Sequence, residues 1–179
     1  MTKRKHSKKK SKKIIRIFPD SSILISYLNK NDVHHQHACS CFGMLIPHHP
    51  TFYFSTVVVM ETMSGLIRNG FTTKKSYDLV IKFITKLEDY RSERPIGLIS
   101  VLKKYQAFAK TKKIKTLTTI DFYIVTEAMS IGAKILTTDK KMYKITQKSY
   151  KEIYLITDKV KGISSDLPNL TRDIIYNLN

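Results

Sequence analysis

Apolar residues in this chain fall into short β-branched runs that alternate with longer stretches of helical period. Ile14–Phe18 is β-branched and aromatic and reads as a short buried strand, ended by Pro19. Asp20, Ser21 and Ser22 then precede Ile23, Leu24, Ile25, Tyr27 and Leu28, a helix with Asp20 or a serine as its N-cap. Asn29–Asp32 reads as a loop, and a second helix covers His35–Ile46 and stops before Pro47. Thr51–Ser55 reads as a second strand, after which Thr56 caps a helix to Asn69, with Gly70 just past its end. Thr72 or Thr73 starts a helix to about Tyr90, with Tyr77, Val80, Ile81, Ile84 and Leu87 on one face. Arg94–Leu98 reads as an extended link or strand, and Ser100 caps a helix to about Lys113. Thr118 or Thr119 opens a helix through Ile131, stopped at Gly132. Ala133–Leu136 is a strand, Lys141–Gln147 a short helix, Glu152–Ile156 a last strand and Leu170–Leu178 a terminal helix.

Strands alternate with helices through short turns, the pattern of right-handed βαβ crossovers around a parallel sheet. The expected class is therefore α/β. In such folds the ligand crevice lies at the carboxyl ends of the strands. Asp20 and Asp139 both fall there.

Charge sharpens this expectation. The 179 residues, enough for one domain with its own core, carry 32 Lys+Arg against 14 Asp+Glu, a formal net charge of +18. Eight of those cations lie within Met1–Lys13, which holds no acid and reads as a basic disordered N-terminal arm; residues 14–179 read as one domain. The domain is still net +10 without the arm, so the body itself attracts polyanions. Nucleic acid is the expected partner, and an anionic membrane surface is the rival. No apolar run approaches the ~18 residues of a membrane span, and the start offers no secretory signal. Cys39 and Cys41 stand two apart, too close for an ordinary stabilising disulfide, which fits a reducing cytoplasmic setting.

Against this basic background four acids sit at element ends: Asp20, Glu61, Asp121 and Asp139. Asp20 reads as a helix N-cap, as a metal ligand, or as both. Glu61 has Val57, Val58, Ser64 and Gly65 at helical spacing; burying it uncompensated would cost roughly several kcal/mol, which a nearby cation would remove. An exposed Glu on a loosely patterned helix is the plain alternative. Asp121 lies in the first turn of its helix, where the dipole alone favours an acid by about 0.3–1 kcal/mol. Asp139 alone reads as a turn or capping residue. Carboxylates that converge repel one another, and such a group persists only with cations or retained protons.

These residues resemble the PIN-domain nucleases, and especially the VapC-type toxin ribonucleases. The resemblance rests on Phe-Pro-Asp20-Ser-Ser-Ile-Leu-Ile, on Phe-Ser-Thr-Val-Val-Val-Met-Glu61, and on Ile120-Asp121-Phe-Tyr-Ile-Val-Thr-Glu-Ala-Met-Ser-Ile-Gly-Ala-Lys-Ile-Leu-Thr137-Thr-Asp139, within residues 14–157. It implies a three-layer α/β/α sandwich with a central, mostly parallel sheet. It also implies a carboxylate cluster binding Mg²⁺ or Mn²⁺, and metal-assisted hydrolysis of RNA phosphodiester bonds. Asp20, Glu61, Asp121 and Asp139 match the family's four acids in order. Asp20 and Asp121 are the expected direct ligands, and Glu61 and Asp139 act directly or through water. Ser21 or Ser22 and Thr137 match hydroxyl residues that support the acids. The basic arm lies outside the family core.

Lys103, Lys104, Lys110, Lys112, Lys113 and Lys115 form the densest basic run in the body and precede Asp121 directly. They read as a solvated helix face or as phosphate contacts on the approach to the acids. His34, His35, His37, Cys39 and Cys41 invite a zinc reading, yet their spacing fits no standard zinc site. A metal-dependent endoribonuclease is the leading expectation, with the toxin of a toxin–antitoxin pair as its narrower form and an antitoxin or a second copy as protein partner. A non-catalytic RNA-binding PIN-like protein in RNA or ribosome processing is the alternative.

Overall fold

The computed structural model describes residues 14–88, 117–157 and 166–178. The expected link at 94–98, the helix at 100–113, its lysine run and the N-terminal arm lie outside these residues. Among the described residues four strands form one parallel sheet: β1 (Arg16–Pro19), β2 (Thr51–Phe52), β3 (Lys134–Thr137) and β4 (Ile153–Leu155), in the order β2-β1-β3-β4. Ile17 pairs with both Phe52 and Lys134, and Leu136 pairs with Pro19 and Tyr154. Seven helices are described: α1 (Ser21–Leu28), α2 (His35–Leu45), α3 (Thr56–Arg68), α4 (Thr73–Glu88), α5 (Thr119–Ile131), α6 (Lys140–Thr146) and α7 (Leu167–Leu178).

The chain leaves β1 toward β2 and leaves β3 toward β4, in opposite directions across the sheet. Right-handed crossovers therefore send α1–α2 and α6 to opposite faces, giving the three-layer α/β/α arrangement. The reversal falls between β1 and β3, and a doubly wound sheet opens its crevice at that point. Ile17, Phe18, Ile135 and Leu136 of these two central strands are fully buried. Among the described residues no helix is long and apolar enough to cross a membrane.

Three expectations shift. The second strand is shorter than 51–55: Tyr53 still donates to the Ile17 carbonyl at 2.9 Å, but Ser55 already turns the chain into α3. Ser55, not Thr56, is the N-cap of α3, its hydroxyl accepting from Val58 N–H at 3.2 Å. The buried face of α4 runs through Ser76, Val80, Phe83 and Leu87, leaving Tyr77 and Ile81 exposed. The reason is aromatic packing. Phe83 meets Tyr27, Phe42 and Phe54 with ring centroids 4.8, 5.2 and 6.2 Å apart, and that contact sets the rotation of the helix.

Candidate functional site

Asp20 emerges from β1 one residue past the strand. Its N–H donates to the Leu136 carbonyl at 2.8 Å, so the β1–β3 ladder runs on beneath it. The side chain turns back to cap α1, Oδ1 accepting from Ser21 N–H at 2.7 Å. A carboxylate at a helix N-terminus is favoured by the dipole, yet this one is 3% exposed. Two hydroxyls compensate. Ser22 Oγ donates to Asp20 Oδ2 at 2.6 Å, and Thr137 Oγ1 donates to the same oxygen at 2.9 Å.

These hydroxyls are themselves fixed. Ser22 Oγ accepts from Thr138 N–H at 3.0 Å, and Thr137 Oγ1 accepts from Asp139 N–H at 3.0 Å. Backbone donors at the end of β3 thus hold both hydroxyls with their protons toward Asp20. Ser21 Oγ bridges toward α3, donating to Glu61 Oε2 at 2.6 Å while lying 3.4 Å from Asp20 Oδ1. That bond needs α1 and α3 close together, which Gly65 permits. A Cβ there would stand 2.2 Å from Ile25 Cδ1.

Burial is the largest influence on Asp20 and pushes its carboxyl up from 3.8 to about 6. The hydroxyls of Ser22 and Thr137 oppose this by stabilising the charge. The negative charges of Glu61 and Asp121 are smaller upward influences within the same shift. The Asp20 carboxyl therefore feels both neighbouring acids. Asp121 also closes a capping box with Thr118, its Oδ2 accepting from Thr118 N–H at 3.2 Å. The carboxylate of Asp139 caps α6 through Lys141 N–H at 2.6 Å and Met142 N–H at 3.0 Å. Its link to the other acids is its N–H on Thr137. The plain readings of Asp121 and Asp139 as caps thus hold alongside any functional role.

As the side chains stand, no three His, Cys, Asp or Glu residues among those described form a group that could hold a metal ion. The donor set is nonetheless one of hard oxygens, suited to Mg²⁺ or Mn²⁺ rather than to a soft metal. Glu127 escaped the sequence reading. It is buried in α5 with Oε2 lacking a hydrogen-bond partner among the described residues. Burial pushes its carboxyl up, and the Ser55 hydroxyl opposes this. The signal was a lone acid inside Ile124-Val125-Thr126-Glu127-Ala128. A cavity of about 490 Å³ lies at the opposite, amino-terminal ends of the strands, between Arg16, Lys134, Glu152 and Asp173, and takes no part in the acid site.

A family model described as the PIN domain matches residues 17–148. No curated protein and no solved structure matches the chain.

Proposed function

The chain belongs to the PIN-domain family, and from that premise we propose that it is a divalent-metal-dependent endoribonuclease working at the carboxyl ends of β1 and β3. One observation carries the reading. A carboxylate sealed at the switch point of the sheet is pushed up to about 6 by burial, and two neighbouring acids add to the push. Carboxylates gathered around a buried anion are unfavourable alone and are relieved by a cation.

Asp20 and Asp121 would hold the ion, with Glu61 and Asp139 contributing directly or through water. A bound divalent cation supplies Lewis acidity toward a phosphodiester and its attacking water. The chain's own residues prepare the place. Ser22 and Thr137 fix the plane of the Asp20 carboxylate, and Ser21 ties Glu61 to the start of α1. Asp139 N–H keeps the Thr137 hydroxyl aimed at Asp20. The net charge of +18 concentrates a polyanionic substrate around the protein. Lys103, Lys104, Lys110, Lys112, Lys113 and Lys115 precede Asp121 in sequence and are the proposed phosphate contacts.

The second reading, a non-catalytic RNA-binding protein, is favoured by that same charge. Incubating end-labelled single-stranded RNA with Mg²⁺ or Mn²⁺ separates the two. Cleavage that disappears with EDTA, in Asp20→Asn and in Asp121→Asn supports the nuclease. RNA that is bound but never cut by the wild type supports the second reading. The narrower toxin role is supported if expression arrests growth for the wild type and not for Asp20→Asn.

A further inference from the structure

Lys140 and Lys141 follow Asp139 directly, at the carboxyl edge of β3 where α6 begins. The helix packs on β3 and β4 and, because those strands are parallel, carries the chain back toward the amino edge of the sheet. Met142 and Thr146 form its buried face. The outer face is basic: Lys141, Lys144, Lys148 and Lys151 are exposed, and Lys140 is half-buried. No acid lies between Lys140 and Lys151 in the sequence. Lys140, Lys141, Lys144 and Lys151 form no ion pair among the described residues.

The acids near this helix are engaged elsewhere. Asp139 caps it through the Lys141 and Met142 N–H groups, and Glu152 pairs with Lys134. Asp166 lies beside Tyr143 and accepts from Leu155 N–H at 3.1 Å. Lys140 and Lys144 stand four residues apart, a like-charge spacing that costs a helix stability. Helix α4 shows the contrast, since Asp78 stands four residues from both Lys74 and Lys82 there. The cations of α4 have an acid at helical spacing, whereas those of α6 have none.

We propose that the outer face of α6 is a track for the phosphates of an RNA strand, which runs along it from the acid site toward the amino edge of the sheet. The direction of the strand rests on the nuclease reading above; the contact itself does not. Lysines fit this role because phosphate contacts hold a strand in place without reading its bases. The placement next to Asp139 gives the track its use, since a strand held there passes the carboxyl ends of β1 and β3. An anionic membrane is the poorer fit. A helix lying on a membrane inserts apolar residues beside its cations. None of the exposed large apolar residues among those described falls between Lys140 and Lys151.

The test is fluorescence anisotropy of a labelled single-stranded RNA with the full chain in EDTA, over a series of salt concentrations, so that binding is read without cleavage. Lys141→Gln with Lys144→Gln removes two contacts. It is expected to flatten the plot of log K against log salt by about 1.4, at about 0.7 for each phosphate. Lys74→Gln with Lys82→Gln removes the same charge from α4, which packs on α1 and α2 across the sheet, and is expected to leave the slope close to that of the wild type. All four lysines are exposed, and Gln holds a helix about as well as Lys, so both pairs keep the fold, which melting curves verify. Equal flattening by the two pairs overturns the proposal, because net charge alone then explains binding. So does an unchanged slope in the α6 pair, even if the wild type cuts RNA. Loss of binding to phosphatidylserine vesicles in the α6 pair, with its RNA slope intact, overturns it in favour of a membrane. RNA bound through α6 but never cut when Mg²⁺ or Mn²⁺ is supplied supports the track and removes the nuclease reading.

Discussion

Thr137 Oγ1 donates a 2.9 Å hydrogen bond to Oδ2 of Asp20, tying the ends of two neighbouring strands together at a buried carboxylate. Its oxygen also accepts the N–H of Asp139 at 3.0 Å. Thr137→Val keeps the shape and removes both interactions. Burial then raises Asp20 further, since one of the two hydroxyls holding its charge is gone. The expected outcome is a loss of about 1–3 kcal/mol in denaturant unfolding. The acidic limb of the cleavage pH profile moves upward.

Asp20 itself works against the metal-free fold near neutral pH. Its folded value of about 6 lies above its ordinary 3.8, so the folded state holds the proton more tightly than the unfolded chain. The stabilising contribution of the protonated group is complete below about 3.8 and is lost as pH rises toward 6. Asp20→Asn should therefore abolish cleavage and yet stabilise the metal-free protein at pH 7, on the order of 1–3 kcal/mol. The gain should vanish near pH 3.5. Paired denaturant titrations at the two pH values check this, and an Asn variant less stable than wild type at pH 7 contradicts it.

With Asp20 as the proposed ligand, divalent metal and protons compete for the same carboxylate. Mn²⁺ at millimolar concentration is expected to raise the melting temperature of the wild type by mass action on the folded state. The increment should grow from pH 5 to pH 7 as Asp20 ionises through about 6. Asp20→Asn is expected to lose the increment. Differential scanning calorimetry measures it directly, and a pH-independent shift would place the ion elsewhere.

Gly65 lies where α3 packs closely against Ile25 of α1. Gly65→Ala puts a methyl 2.2 Å from Ile25 Cδ1 and 3.0 Å from Ile25 Cγ1, pressing on the contact that brings Glu61 to Ser21. We expect a loss of about 1–3 kcal/mol and slower cleavage. Ile25→Ala combined with Gly65→Ala should recover most of both, because the added methyl fills the space left by the isoleucine and Ala outperforms Gly in a helix. A double-mutant cycle with no coupling between the two positions would refute this account.

Much of the fold was legible in local pattern. The runs at Ile14–Phe18 and Ala133–Leu136 are short, β-branched and bounded by Pro19 and Gly132, so they read as strands, and Asp20 and Asp139 followed as residues at strand ends. What was illegible depended on contacts distant in sequence. Ser55 and Thr56 are equally able to cap α3, and only the bond to Val58 decides between them. The apolar residues of α4 straddle two faces, and Phe83 wins through rings on α1 and α2. The division of labour between Ser21 and Ser22 was also hidden, since one serves Glu61 and the other Asp20 across a helix pair the sequence does not position.

The place of β1 between β2 and β3 also fixes when the protein becomes competent. Its neighbour β2 is made 30-odd residues later, but β3 and Thr137 follow more than a hundred residues after Asp20. A nascent chain that has reached only α4 has no Thr137 to hold Asp20, no Asp121 and no finished sheet edge. The hydrogen bonds that hold Asp20 are therefore complete only after residues 134–139 have left the exit tunnel and closed against β1.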